Sequence, residues 1–124
     1  CKKYKISFIQ LLSPTTSKIR QKKIIKDSHD MIYYISMLST TGGELKVSPR
    51  KIMQEYQKIK KQNKSKNVVI GFGITEKTIS LLKKADGLVV GSAICKEINN
   101  SIKRGQNTVT NVTNVVRRLK NKIK

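Results

Sequence analysis

Short apolar runs alternate along the chain with longer segments that carry apolar residues at helical spacing. The apolar runs lie at 6–12, 31–37, 67–74 and 88–92, and all are rich in β-branched or large hydrophobic residues. Such runs predict strands, and the segments between and after them predict amphipathic helices. An order of β-α-β-α-β-α-β-α favours parallel strands joined by right-handed crossovers. The pattern therefore predicts one α/β domain over residues 1–124, with no linker dividing it.

Polar residues mark where several helices begin. Ser17 is suited to cap the first helix, and Ser48-Pro49 opens the second with an N-cap and a proline in its first turn. Thr75 is expected to cap a third helix that carries Ile79, Leu81 and Leu82, and a fourth is expected from about 93 to 102. The last helix has one stripe at spacings of three and four that we expect to be buried: Val109, Val112, Val116, Leu119 and Ile123.

Two apolar runs near the middle of the chain end in glycine turns. The run 67–74 contains Gly71-Phe72-Gly73, and the run 87–94 contains Gly91-Ser92. Both runs are continuously apolar, which predicts strands buried on both faces. Two adjacent strand–glycine–helix turns form a phosphate cradle, and in a (β/α)8 barrel such a site follows strands 7 and 8. A whole barrel needs roughly 250 residues, so a doubly wound sheet and half of a barrel both fit this length.

Composition changes the picture in only a few respects. The formal charge is +20, from 27 Lys and Arg against 7 Asp and Glu, which alone suggests nucleic acid. The basic residues are mostly lysines on predicted outer helix faces. The six aromatic residues are not interleaved with them as a stacking platform requires, which argues against nucleic-acid binding. Cys95 is expected to be a small buried hydrophobe and His29 a surface residue. No metal-ligand spacing, membrane-spanning run or signal peptide is found.

Four motifs, taken in order, resemble the C-terminal half of the tryptophan synthase alpha subunit family. They are Phe8-Ile9-Gln10-Leu11-Leu12-Ser13-Pro14-Thr15-Thr16-Ser17, Ile32-Tyr33-Tyr34-Ile35-Ser36, Gly71-Phe72-Gly73-Ile74 and Val90-Gly91-Ser92-Ala93-Ile94. The last two motifs also occur in other phosphate-binding barrels, whereas the first two, together with the Thr41-Gly42 loop, make the resemblance specific.

The resemblance implies a fold and an activity. The family is a (β/α)8 barrel, of which this chain would supply strands 5 to 8 with their helices. It cleaves indole-3-glycerol phosphate to indole and glyceraldehyde 3-phosphate, a lyase step in tryptophan biosynthesis. The alpha subunit uses no cofactor or metal, and its indole passes to a beta subunit that carries pyridoxal phosphate, within an alpha2-beta2 heterotetramer. A soluble protein of the cytoplasm or of a plastid stroma is expected.

The resemblance also assigns substrate-binding residues. Gly71, Phe72 and Gly73 would bind the substrate phosphate after strand 7, and Gly91 and Ser92 would do so after strand 8. The donors would be backbone N–H groups together with the Ser92 hydroxyl.

Two further positions match the pocket and the loop of the family. Tyr33 matches a pocket tyrosine, while Thr41 and Gly42 match the loop that closes over substrate. That loop usually reads R-x-G-V-T-G in the family, but here Met37 replaces the arginine and Ser39 the first glycine. These departures concern loop closure and coupling to the beta subunit rather than phosphate binding.

No catalytic residue is expected in this chain. The two catalytic carboxylates of the family lie in or near strands 2 and 3, and none of the seven acidic residues here matches them. We therefore expect the isolated chain to lack lyase activity. The alternatives left open are another phosphate-binding barrel enzyme, a basic α/β module that binds nucleic acid, and a gene that has lost its function.

Overall fold

The central sheet and its flanking helices are seen in a computed structural model that describes residues 1–36, 39–40, 43–44, 47–71 and 73–124. In chain order the elements are β1 (Gln10–Leu12), α1 (Lys18–Asp27), β2 (Met31–Ile35), β3 (Ser39–Thr40), β4 (Gly43–Glu44), α2 (Pro49–Gln62), β5 (Asn67–Gly71), β6 (Gly87–Val89), α3 (Ser92–Lys103) and α4 (Thr108–Asn121). Short 3-10 helices lie at Lys2–Tyr4 and Ile79–Leu82.

The main sheet has four parallel strands in the order β1-β2-β5-β6, which confirms the predicted parallel arrangement. Neighbouring strands of this sheet follow one another in the sequence. The small antiparallel hairpin β3–β4, which lies between β2 and β5 in the sequence, forms a separate sheet. The carboxyl ends of β2, β5 and β6 therefore meet at one edge of the sheet. The turns that follow these strands are brought together there.

One face of the sheet forms the core. Leu12, Ile32, Tyr34, Val68 and Ile70 are each at most 3% exposed and alternate along the strands with less buried residues. The helices cover this face with a second set of buried residues: Ile24, Ile25, Ile52, Tyr56, Ile59, Val115 and Leu119. Ile52, Tyr56 and Ile59 form the buried stripe of α2. Ser48 caps that helix as predicted, through a hydroxyl that accepts a hydrogen bond from Lys51 N–H at 3.4 Å.

The opposite face of the sheet is only partly covered. Leu11 is 54% exposed and Val89 is 40% exposed. The prediction that the runs ending in glycine form strands buried on both faces is therefore wrong for Val89. A continuous apolar run shows that both sides of a strand are hydrophobic, but it does not show that this part of the chain covers both sides.

The first strand is shorter than the predicted 6–12. Residues 10–12 pair with 32–34 of β2, and β2 begins at Met31. Residues before Ile9 therefore have no residue of β2 to pair with. Ile6 and Phe8 are accordingly 61% and 64% exposed. The hydrophobic pattern of a segment alone does not reveal where its partner strand begins.

The helix predicted after Thr75 is replaced by the 3-10 helix Ile79–Leu82. The Thr78 hydroxyl accepts from Thr75 N–H at 3.0 Å and donates to the Gly73 carbonyl at 3.1 Å. Local bonds of this kind compete with helical hydrogen bonding. Ile79 and Leu82 are buried as expected, whereas Leu81 is 61% exposed.

The last two helices form a hairpin, joined through Gly105 in the left-handed region at φ 60°. The buried residues of α4 are Val115 and Leu119, whereas Val109, Val116 and Ile123 of the predicted stripe are 76%, 45% and 40% exposed, so that prediction is wrong in part. Cys95 on α3 is exposed rather than buried. No helix in the described part of the chain has the length and hydropathy needed to cross a membrane.

A salt bridge joins α4 to the segment after β5. Arg118 Nε lies 3.1 Å from Glu76 Oε1, and Lys122 Nζ donates to the Glu76 carbonyl at 3.0 Å. The hydrogen bond from Arg118 holds the pKa of Glu76 below its ordinary value. This contact orients the hairpin through groups that are open to solvent.

The amino ends of β5 and β6 are joined by Asp86. Its Oδ2 accepts from Val68 N–H at 2.8 Å and lies 2.8 Å from Lys60 Nζ, which also donates to the Lys66 carbonyl at 2.7 Å. Burial alone would raise the pKa of Asp86, but the hydrogen bonds from Lys60 and Val68 outweigh it, so the pKa lies below its ordinary value. The carboxylate therefore stabilises the fold while it is ionised.

Replacing Asp86 by alanine is expected to lower the free energy of unfolding by about 2 kcal/mol at neutral pH, because charged hydrogen bonds are lost. A carboxyl whose pKa is lowered by folding contributes stability above its unfolded pKa and loses it as pH falls through its folded pKa. Urea unfolding should therefore show that the substitution lowers the free energy of unfolding by less below about pH 4, near the ordinary pKa of aspartate. An equal cost at pH 7 and pH 3 would contradict this role.

Candidate functional site

A cavity of about 190 Å³ opens at the carboxyl edge of the sheet, between the ends of β2, β5 and β6. Its lining residues come from all three strand ends: Tyr33, Gly73, Ile74, Val89, Gly91 and Ser92. Four of these are residues that the sequence predicts to bind substrate. The structure therefore brings together positions that are as far apart in the chain as Tyr33 and Ser92.

Gly71 is a glycine because Tyr33 occupies the space where a side chain would lie. A Cβ at Gly71 would lie 1.9 Å from Tyr33 Oη and 2.3 Å from Tyr33 Cζ. Real Cβ atoms essentially never approach other atoms so closely. Gly71 is buried and is not among the residues that line the cavity, and its lack of a Cβ leaves room for the Tyr33 ring.

The two neighbouring tyrosines point to opposite sides of β2, as strand alternation requires. Tyr33 is part-exposed and lines the cavity, whereas Tyr34 is 3% exposed in the core. Burial, with a smaller contribution from Glu55, raises the pKa of Tyr34 to about 12. Tyr34 is therefore a neutral core residue, and Tyr33 is the tyrosine available to a ligand.

Gly73 follows β5 in the left-handed region, at φ 68°. Residues with a Cβ rarely adopt this conformation, so the turn depends on glycine for its backbone geometry. The Thr78 hydroxyl donates to the Gly73 carbonyl at 3.1 Å. The turn is thus fixed by its own conformation and by one hydrogen bond from the segment that follows it.

Gly91 stands at the N-terminus of α3, a helix of 12 residues. Its carbonyl accepts from Ile94 N–H at 3.0 Å and from Cys95 N–H at 3.1 Å, and no side chain caps the helix. The first N–H groups of a helix have no partner within it and carry a positive partial charge. An ideal Cβ at Gly91 would meet no atom within 4 Å, so open space lies beside these donors.

Sequence reasoning missed Ser36 as a functional candidate. Ser36 is fully buried at 0% exposure, directly after β2. Its hydroxyl donates to the Gly71 carbonyl at 2.8 Å, and its N–H donates to the same carbonyl at 3.1 Å. A serine at the end of an apolar strand was the available signal, but its partner could not be read from the sequence.

Three of the predicted substrate-binding residues lie outside the described residues: Thr41, Gly42 and Phe72. The same holds for Met37, one of the two departures from the family loop. Ser39 is described only by its backbone, which pairs with Glu44 in the β3–β4 hairpin.

The described part of the chain contains neither a metal-binding cluster nor an acidic residue at the cavity. No residue that lines the cavity is acidic, and no group of three His, Cys, Asp or Glu residues there could hold a metal ion. His29 and Asp30 pair at 2.6 Å with side chains that are 66% and 78% exposed, which confirms the predicted surface position of His29. Among the described residues, those that line the cavity offer hydroxyl and N–H groups that can donate to an anion.

Comparison with solved structures defines the class of protein. The chain is similar to the crystal structure of tryptophan synthase subunit alpha from Legionella pneumophila str. Paris, with a TM-score of 0.81 and 25% identity over 98% of this chain and 44% of that chain. It is also similar to a chain from a structural study of the mutual activation of the tryptophan synthase a2b2 complex from Pyrococcus furiosus. That match has a TM-score of 0.67 and 28% identity over 95% of this chain and 47% of that chain. The four parallel strands are thus part of a (β/α)8 barrel.

The family follows from the sequence matches. The family model described as "Tryptophan synthase alpha chain" matches residues 1–124. The chain is 76% identical over 123 residues to the tryptophan synthase alpha chain of Pelagibacter ubique, a match that covers 99% of this chain and 46% of that protein. The chain belongs to the tryptophan synthase alpha chain family, a family of lyases in tryptophan biosynthesis. It spans about half the length of the curated relatives that it matches.

Proposed function

We propose that this chain supplies strands 5 to 8 of a tryptophan synthase alpha barrel and carries the site for the substrate phosphate. The observation that supports this is the cavity lined by Tyr33, Gly73, Gly91 and Ser92 at the carboxyl edge of the sheet. Active sites of (β/α)8 barrels lie at this edge, often with a phosphate site after strands 7 and 8. In this proposal β5 and β6 are those two strands.

The chemistry of the cavity suits an anion. Ser92 contributes a hydroxyl, and the start of α3 contributes N–H groups that no side chain caps, with a favourable dipole. The cavity of about 190 Å³ is smaller than the roughly 300–1,000 Å³ of complete small-molecule sites. It therefore matches the phosphate end of indole-3-glycerol phosphate better than the whole substrate.

The complete protein is proposed to cleave indole-3-glycerol phosphate to indole and glyceraldehyde 3-phosphate. The carboxylates that act as acid and base come from strands 2 and 3 in this proposal. Thr41 and Gly42 belong to the loop that closes over substrate, and Phe72 to the turn after strand 7. No cofactor or metal is needed in this subunit.

The proposed partner is a beta subunit that carries pyridoxal phosphate. The similar Pyrococcus furiosus protein is described as part of a tryptophan synthase a2b2 complex, and we extend that assembly to the complete protein. The chain alone is expected to release no indole from indole-3-glycerol phosphate, since it lacks the acid and base. Measurable release would contradict the assignment of those groups to the other half.

The proposal is tested by titrating inorganic phosphate into the 124-residue chain and recording backbone amide shifts by NMR. The amides of Gly73, Gly91 and Ser92 are expected to shift together along one saturable curve. Gly105, in the turn between α3 and α4, is the control and should not move. Shifts spread over the lysine-rich helix faces, with no saturation at the three turn amides, would overturn the phosphate site.

A further inference from the structure

Ser36 is a buried polar residue whose two donors converge on one atom of the candidate site. It is 0% exposed, and both its hydroxyl and its N–H donate to the Gly71 carbonyl, at 2.8 Å and 3.1 Å. Burying a hydroxyl is unfavourable unless it is hydrogen-bonded. The bond it makes here reaches the last residue of β5, where the turn toward Gly73 begins.

The two bonds have different origins. The bond from Ser36 N–H is the last backbone bond of the parallel pairing between β2 and β5, next to the pair formed by Ile35 and Gly71. The bond from the hydroxyl is additional, and it uses the second lone pair of the same carbonyl. Together they fix the direction of the Gly71 carbonyl. Because a peptide group is planar, they also fix the orientation of the peptide group to which that carbonyl belongs.

Glycine makes this restraint important. Gly71 has no side chain to limit its dihedral angles, and the Tyr33 ring lies where its Cβ would be. The hydroxyl of Ser36 therefore restrains Gly71, and the position of Gly73 beside the cavity depends on how the chain leaves Gly71. It does so from the buried side, without lining the cavity itself.

We infer that Ser36 is a positioning residue: by fixing the Gly71 carbonyl at the end of β5, it sets the position of Gly73, whose N–H binds the phosphate group. The inference rests on the proposed function, and it adds to the site a residue that does not contact the ligand. Its hydroxyl orients the turn at one side of the cavity, while Gly91 and Ser92 at the other side are independent of it.

The test replaces Ser36 by alanine in the 124-residue chain and measures phosphate affinity by NMR titration. Affinity is expected to fall about five-fold, the equivalent of one hydrogen bond. Before phosphate is added, the amide resonance of Gly73 should move while that of Gly91 stays in place. The Gly71 carbonyl keeps its bond from the N–H of residue 36, so the fold is expected to survive the change.

Ser101 provides a matched control. It is also 0% exposed, and its hydroxyl bonds to Glu97 at 3.3 Å and to Asn111 at 3.1 Å, between α3 and α4. Ser101→Ala removes a buried hydroxyl and should lower the urea midpoint comparably, but leave phosphate affinity and the Gly73 resonance unchanged.

Each outcome of this comparison decides a separate question. If the unsubstituted chain binds phosphate and Ser36→Ala binds it equally well, the inference about Ser36 is wrong and the proposed function stands. Equal losses of affinity in the Ser36 and Ser101 variants would reduce Ser36 to a stabilising residue and overturn the inference. If the unsubstituted chain does not bind phosphate at Gly73, Gly91 and Ser92, both proposals are overturned.

Discussion

Gly71→Ala is expected to lower the free energy of unfolding by about 3 kcal/mol, at the upper end for an overpacked site. The reason is the contact with Tyr33, because the added Cβ would lie 1.9 Å from its hydroxyl oxygen and 2.3 Å from Cζ. Relief requires either that the Tyr33 ring leaves the cavity or that β5 moves away from β2. Urea unfolding followed by circular dichroism measures the loss.

Two variants show whether the ring is the cause. Gly91→Ala is the matched control, since its Cβ would meet no atom within 4 Å, and its stability should change by less than about 0.5 kcal/mol. Tyr33→Leu, introduced together with Gly71→Ala, should recover most of the lost stability, because the ring atoms in conflict are removed. If the double variant is as unstable as the sum of the two single variants, the ring is not the source of the strain.

Gly91→Asp should abolish measurable phosphate binding without destabilising the chain. A carboxylate at the start of α3 would occupy the open space beside the first N–H groups of the helix, and it would repel an anion that approaches them. The same carboxylate interacts favourably with the helix dipole, by about 0.3–1 kcal/mol. Affinity and stability are therefore expected to change in opposite directions, which NMR titration and urea unfolding measure on the same samples.

Gly91→Asn separates charge from size. Asparagine has nearly the same shape as aspartate, so it fills the same space and leaves out only the negative charge. We expect the asparagine variant to bind phosphate weakly and the aspartate variant not at all, with a difference that shrinks as salt screens the repulsion. Identical affinities for the two variants would place the anion elsewhere.

Much of the fold could be predicted because the signals for its strands and helix starts are local. The runs that contain β2 and β5 are continuous and apolar, and Ser17 and Ser48 lie at the starts of α1 and α2 as capping serines should. The errors arose where tertiary contacts decide. The start of β1 depends on where β2 begins, and the buried face of α4 depends on α3, so neither can be read from its own segment.

The segment after β5 shows a different limit. Ile79 and Leu82 have the spacing of a buried helical stripe, and both are buried. Thr78 nevertheless bonds to Gly73 and Thr75, and the chain forms a 3-10 helix instead. A hydrophobic pattern records which residues face the core but not which hydrogen bonds the backbone makes.

The candidate site could be predicted only in part. Motifs identify Tyr33, Gly73, Gly91 and Ser92, and the structure places them around one cavity. Gly71 is expected from its motif to bind the ligand, but its observed contact is with Tyr33, a relation between two strands that no motif contains. Ser36 is missed for the same reason, because its partner is 35 residues away in the sequence.

The order of the sheet has a consequence for how the chain is made. During synthesis the amino-terminal strand leaves the ribosome first, at about 5–20 residues per second. The strands β1, β2, β5 and β6 lie side by side in the order in which they are translated. The neighbour of each new strand has therefore already left the ribosome. The sheet can therefore grow one strand at a time during synthesis, and the turn that contains Gly91 and Ser92 reaches its place after the turn that contains Gly73.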